Sequence, residues 1–420
     1  MKFIGEKNMR EGMKEGMKEV FIKAYNEFDS RPLKGESLKK YYVDDFSKDI
    51  SKRIINTITI SERFRKILII GHTGCGKSTI LNNIIDKLGE QYHIVDFSIS
   101  DQINLMDVNT IDVLLAIYIQ LVKAVKNKIQ VEKKIISKVL SDFDEVTSPI
   151  RQTLSLKEVG VSLLKTISFK MLVEKESRSE IRKAYIKKGV ELMQHSISEI
   201  SNLIAEETNK DILIVIDDLD KLKDKFAKKI FFDEVNMLFM PECKIIFTFP
   251  ISSFHDPKFN RITDKFESEF IRLVNLYDYD GKYNKESEEI LKKIVLKRID
   301  SKFISVKALE HLIIKSGGLV RDLIKYMQDA CRTVLVEELD SITEEISKEV
   351  VREKINEYYR LFDFVQYEED VKKIIKTQTK KDVKMNNFLY LLRYLFVLVY
   401  GKQSEQIWFD THPCLKELLK

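Results

Sequence analysis

Glycine and proline are scarce, 14 and 6 of 420 residues, which excludes a collagen-like or low-complexity disordered chain. Cysteine is scarcer still. Cys75, Cys243, Cys331 and Cys414 lie far apart without CxxC spacing, which argues against a zinc site or a disulfide framework and fits a reducing cytoplasm. The longer apolar runs, Ile67–Ile70, Val113–Ile119, Ile212–Ile216 and Leu395–Tyr400, fall well short of the roughly 20 residues that cross a bilayer. Met1–Val20 mixes Lys and Glu with Met and Gly and builds no apolar leader, so neither secretion nor membrane residence is expected. Charge of one sign is lacking too: 71 basic against 66 acidic residues leave +5, too little for the whole chain to demand nucleic acid.

What remains is a globular chain, 44% hydrophobic and 33% charged, long enough for two or three domains. Residues 1–40 read as a charged arm, part helix around Met17–Phe28 and stopped at Pro32. From Lys66, short apolar runs alternate with turns and helical periods, the pattern of an α/β parallel sheet. The expected strands are Ile67–Ile70, His93–Ser98, Ile212–Ile216, Lys244–Phe249 and Phe270–Leu276. A helical insertion of about 101–205 interrupts a core spanning 41–280. Within it Thr110–Val125 is apolar nearly all round, and Met193, Ile197, Ile200 and Ile204 mark one face of another helix. Its Lys-rich tract, Lys123 to Lys138, reads as a solvated face. A helical lid follows over 281–340. The last part, 341–420, orders helices near Glu368–Thr377 and Asn386–Leu395 before strands Phe396–Tyr400 and Gln406–Phe409, as a winged-helix-like domain would.

Gly71-His72-Thr73-Gly74-Cys75-Gly76-Lys77-Ser78 satisfies GxxxxGK[ST] between a strand and a helix. Glycines let the backbone curl so that successive amides point inward with no Cβ in the way, and the helix start adds positive potential. Gly71 to Thr79 would cradle a polyphosphate, Lys77 would reach its β- and γ-phosphates, and the Ser78 hydroxyl would hold Mg²⁺. His72 and Cys75 read as loop fillers. A metal carboxylate is expected at the tip of a neighbouring strand, and Ile212–Ile216 ends in Asp217-Asp218-Leu219-Asp220. Asp217 is the metal-side group, Asp218 the base that positions the attacking water, and Asp220 their support. Thr248, ending the next strand, is placed to hydrogen-bond that water or the γ-phosphate. Arg321, opening a helix after Ser316-Gly317-Gly318, is placed to reach the phosphates from the lid.

With these pieces in this order the chain resembles AAA+ and STAND-type P-loop ATPases, near the branch holding origin-recognition initiators and KAP-type ATPases. The resemblance covers about Tyr41 to Glu338 and rests on the loop, the Asp217-Asp218 strand end, Thr248 as sensor 1 and Gly317–Arg321 as sensor 2. It implies an ATPase using ATP and Mg²⁺, with Tyr41-Tyr42-Val43-Asp44 packing near the adenine. It also implies an arginine from a neighbouring subunit, for which Arg261 and Arg272 are the candidates and Arg261 is favoured. Asp218 stands where the family commonly has Glu. An ABC ATPase is excluded because Ser316-Gly317-Gly318 comes after the acidic strand, and a GTPase because Asn209-Lys210-Asp211 precedes Ile212 with the wrong spacing.

The expected function is therefore a cytoplasmic, homo-oligomeric ATP-driven switch or motor that remodels or recruits a protein partner or effector, through the C-terminal domain or the insertion. The resemblance implies mobile-element or phage-defence settings for such chains. The alternative is a DNA-binding initiator or loader. For it stand Lys372, Lys373, Lys376, Lys380, Lys381 and Lys384; against it stands the helix Asn386–Arg393, with few side chains able to read base edges. Protein contact is expected over nucleic acid.

Overall fold

The computed structural model describes residues 16–61, 64–401 and 407–419. The first fifteen residues of the expected arm, and residues 402–406 with the start of the second C-terminal strand, lie outside them. Two compact units form, each discontinuous in sequence: Met1–Asp49, Gly71–Asn83 and Ile271–Lys420 make one, Ile50–Ile70 and Ile84–Phe270 the other. Among the described residues no helix is long and apolar enough to cross a membrane. All four cysteines are buried and none is in a disulfide.

The second unit is built on a parallel sheet in the order β2-β3-β4-β1-β5. Its strands are β1 (Lys66–Ile70), β2 (His93–Ser98), β3 (Ile212–Asp217), β4 (Lys244–Phe249) and β5 (Glu267–Phe270). β1 and β4 are buried along their whole length, as strands covered on both faces must be. Each fully buried Ile or Phe contributes about 1.5–3 kcal/mol. The fifth strand departs from the expectation of Phe270–Leu276. β1 ends at Ile70 opposite Phe270, so no partner remains beyond that pair. Glu267 and Glu269 instead form the ladder, tied to Arg65 at 3.7 Å and Arg53 at 3.0 Å.

Helix α3 (Lys48–Ile60) leads into β1, and α4 (Lys77–Leu88) leaves the loop that follows it. Between β2 and β3 run α5 (Thr110–Asn127), α6 (Lys133–Val146), α7 (Ser148–Thr153), α8 (Gly160–Val173) and α9 (Lys175–Thr208). Met193, Ile197, Ile200 and Ile204 of α9 are fully buried. Arg182 of α9 donates to Asp112 in the first turn of α5 at 3.0 Å. Short helices α10 (Asp224–Lys228), α11 (Val235–Phe239) and α12 (Ile251–His255) connect the remaining strands.

The first unit is mostly helical: α1 (16–27) and α2 (Glu36–Tyr41), then α13 (Lys285–Leu296), α14 (Val306–Lys315), α15 (Val320–Val336), α16 (Glu344–Leu361), α17 (Phe364–Thr377) and α18 (Met385–Arg393). An antiparallel pair, β6 (Val397–Tyr400) and β7 (Trp408–Thr411), precedes α19 (Pro413–Leu418). Asn284, Ser305, Thr343 and Asp363 each accept the amide three residues on and so start α13, α14, α16 and α17, worth about 1 kcal/mol per cap. Residues 16–40 are packed within this unit. Phe21 meets the Phe303 ring at 5.6 Å, and Arg298 donates to the Glu27 carbonyl at 3.1 Å.

Candidate functional site

Gly71–Ser78 belongs to the helical unit. Gly74 and Gly76 adopt φ of +89° and +100°, the left-handed region where a Cβ is penalised. Lys77, only 4% exposed, curls back so that its ammonium donates to the Gly71 and His72 carbonyls, both at 2.9 Å. The Cys75 thiol faces the Ile271 carbonyl at 3.7 Å. Thr79 accepts the Leu33 amide at 3.1 Å, and Asn82 donates to the Leu33 carbonyl at 2.8 Å. Asn83 donates to the Tyr42 hydroxyl at 3.0 Å, so the segment before α3 is strapped to the first turns of α4. An ammonium beside the backbone amides and hydroxyls of a glycine-rich turn is a donor set suited to an anion.

Arg321 lies directly against this loop. Its amide donates to the Gly74 carbonyl at 3.1 Å, and a Cβ on Gly74 would sit 2.9 Å from the Arg321 Cβ. Gly317 and Gly318, at φ of +60° and +79°, make the turn that aims α15 there. A Cβ on Gly318 would come within 2.1 Å of the Val274 carbonyl oxygen. The sequence reading of His72 as a filler misses its role: its Nε2 accepts the Val399 amide of β6 at 2.9 Å.

In the sheet unit, Ser98 of β2 pairs with Asp217 of β3, and Ile69 of β1 with Thr248 of β4. These residues stand at the carboxyl edge of the strands, where open α/β sheets bind ligands. Asp217, Asp218 and Asp220 each bring a carboxylate oxygen within 4.8 Å of the others, a hard oxygen set suited to a divalent cation. Asp217 accepts the Asp218 amide at 2.8 Å. Thr248, fully buried, accepts the Leu219 amide at 3.1 Å, leaving its own proton to donate. Asp218 sits at φ +69°. One of its oxygens takes the Lys221 ammonium at 2.6 Å, and the other takes the Ser98 and Ser100 hydroxyls at 2.7 and 2.9 Å. Burial works to raise its pKa, but Lys221 and the two hydroxyls hold it below the ordinary carboxylate value. Ser98, Ser100 and Lys221 escaped the sequence reading; a hydroxyl ending β2 is the signal that could have drawn attention to them.

Arg261 ends the short helix Pro257–Arg261 and is exposed, whereas Arg272 is half-buried. Tyr41 is covered by the Arg298 guanidinium, 4.6 Å from its ring centre.

A five-stranded parallel sheet whose first strand feeds a GxxxxGKS loop and whose third ends in carboxylates defines a P-loop NTPase. Within that class, residues 46–250, from Phe46 through the loop and the acidic strand end to Pro250, match the KAP family P-loop domain. No curated protein matches the chain in sequence. Similar solved structures include a Walker-type ATPase of Pyrococcus abyssi, 14% identical over 94% of this chain and 99% of that one, with a TM-score of 0.46. Cdc6p of Pyrobaculum aerophilum is 11% identical over 94% and 95%, at 0.41. The Aeropyrum pernix ORC1 protein, solved in complex with DNA, is 10% identical over 92% and 94%, at 0.40.

Proposed function

We propose that this chain binds ATP with Mg²⁺ and hydrolyses it as an AAA+/STAND-like switch. The conformation of Gly71–Ser78 carries the reading: two glycines at positive φ, a buried Lys77 and the amide of Arg321 on Gly74. Backbone amides of Gly71 to Thr79 and the Lys77 ammonium take the phosphates, while Ser78 and Asp217 hold the metal. Asp218 orients the attacking water once its carboxylate is released from Lys221. Thr248 donates its hydroxyl proton to that water or to the γ-phosphate. Arg321 adds charge from the lid, and Arg261, exposed at a helix end, enters the site of a neighbouring copy. Lid closure and assembly then follow nucleotide state, and the C-terminal helices and hairpin, read as winged-helix-like, present it to a protein partner.

ATP and Mg²⁺ at about 100 times the dissociation constant are expected to add about 2.7 kcal/mol of stability, and Lys77→Ala to lose most of it. A wild-type chain with no nucleotide-dependent shift overturns the reading. Initiator-type DNA binding is the second reading, supported by the exposed Lys376, Lys381 and Lys384. It is weakened because Lys372 and Lys373 already face Glu368 and Asp370 at 2.6 and 3.6 Å. A steep fall of duplex affinity with salt supports it, and a flat response removes it.

A further inference from the structure

We propose that His72 is a positioning residue through which the β6–β7 hairpin sets the phosphate loop and registers whether nucleotide is bound there. The inference rests on the nucleotide reading and extends it to an output element.

In the antiparallel pair, Val399 stands opposite Phe409. The amides of both point away from the hairpin: that of Phe409 donates to the Gln378 carbonyl at 3.0 Å, that of Val399 to His72 Nε2 at 2.9 Å. A two-stranded ribbon leaves such outward amides needing partners, and here the partner is a loop side chain only 1% exposed. Because Nε2 accepts, the neutral imidazole carries its proton on Nδ1.

The same hairpin reaches the loop by a second route. The Tyr400 hydroxyl donates to the Gly317 carbonyl at 2.8 Å, and a Cβ on Gly317 would crowd Pro413 and Leu398 at 2.8 and 3.0 Å. Gly317 belongs to the turn that opens α15, and the α15 amide of Arg321 returns to Gly74 at 3.1 Å. The hairpin therefore holds the loop at His72 and, through this turn, at Gly74. Beyond β7, His412 pairs with Asp322 of α15 at 3.2 Å, which keeps hairpin and helix together. Phosphate drawing the loop amides inward has to carry His72 with it, so the Val399 amide either follows or loses its buried acceptor, which is costly.

Trp408 is the chain's single tryptophan and pairs with Tyr400 in register, their rings stacked at 5.8 Å. The full-length protein thus carries its own probe. ADP and ATP, each with Mg²⁺, are titrated while Trp408 fluorescence is recorded, and affinity is measured in parallel by calorimetry. Wild type is expected to change its emission along the calorimetric binding curve. His72→Ala is expected to bind about tenfold or more weakly and to lose the emission change at saturation. His72→Gln, which offers an acceptor oxygen at similar reach, is expected to regain part of both. A silent Trp408 in wild type that binds nucleotide overturns the proposal, as does a full response in folded His72→Ala. Wild type with no calorimetric binding overturns the nucleotide reading itself. If His72→Ala does not fold, the wild-type titration and His72→Gln decide: an unchanged calorimetric curve with no emission change in either overturns the proposal.

Discussion

Arg321 donates its backbone amide to the Gly74 carbonyl at 3.1 Å, so the start of α15 closes on the middle of the phosphate loop. A residue that sequence reading expects to act through its guanidinium is anchored first through its main chain.

That closeness makes Gly74→Ala costly. The position combines φ of +89° with a Cβ that would lie 2.9 Å from the Arg321 Cβ. A loss of about 1–3 kcal/mol in stability is expected, together with weakened nucleotide binding. Denaturant unfolding and calorimetry measure the two. Wild-type values in both would mean that loop and helix separate without cost.

The Asp218–Lys221 pair at 2.6 Å predicts opposite effects from its two ends. Asp218→Asn should lower steady-state turnover by about 10²–10⁴ while keeping nucleotide binding. Lys221→Ala should raise turnover, because the carboxylate no longer has to leave an ion pair before it meets water. Slower turnover in Lys221→Ala would instead make the lysine part of the working site.

Acid should destabilise the helical unit through His412. Its Nδ1 accepts the Cys414 amide at 3.2 Å while Nε2 faces Asp322 at 3.2 Å, an arrangement of the neutral ring. Burial pushes its pKa down, outweighing the upward pull of Asp322. Below the ordinary value of 6.5 the unfolded chain binds the extra proton and the folded chain does not. This contribution is therefore complete above that pH and falls as pH drops, by up to about 1.4 kcal/mol per unit. Denaturation of wild type and His412→Gln at pH 5 to 8 checks it: the variant should show the shallower slope.

Lys66 predicts a slope at the alkaline end. Its ammonium donates to the carbonyls of Phe64, Pro241 and Cys243 at 3.0, 2.7 and 2.7 Å, yet burial pushes its pKa down from 10.5 to about 8. Between those values the unfolded chain keeps a proton that the folded chain has released. Stability from this group accordingly rises with pH across that window. Lys66→Met should flatten that rise in denaturation from pH 8 to 10, and an unchanged slope would show that the folded lysine keeps its proton.

The first four strands were legible because each is a short run rich in β-branched and aromatic residues bounded by polar turns; β1, β3 and β4 are buried nearly throughout, whereas β2, at the sheet edge, is mostly half-buried. The fifth was not. Ile271, Leu273, Val274 and Leu276 are apolar and buried, and by pattern they read as strand. Their carbonyls serve the Cys75 thiol and the close approach of Gly318 instead, while the polar Glu267–Phe270 finds the open edge of β1. Edge pairing depends on where the neighbour ends, which no local pattern records. Likewise the Asp217-Asp218 strand tip was legible from its spacing to the phosphate loop, but the Lys221, Ser98 and Ser100 clasp on Asp218 was not, because Ser98 lies 120 residues away in sequence.

Local chemistry by itself determined the phosphate loop, the acidic strand tip and the helical character of the C-terminal half, since glycine freedom, carboxylate charge and apolar period are properties of neighbouring residues. Tertiary structure alone decided that Arg321 meets Gly74, that Asp218 is clasped and that His72 receives Val399. Each joins groups remote along the chain, and hydrogen bonds of about 3 Å exist only once packing has brought donor and acceptor together.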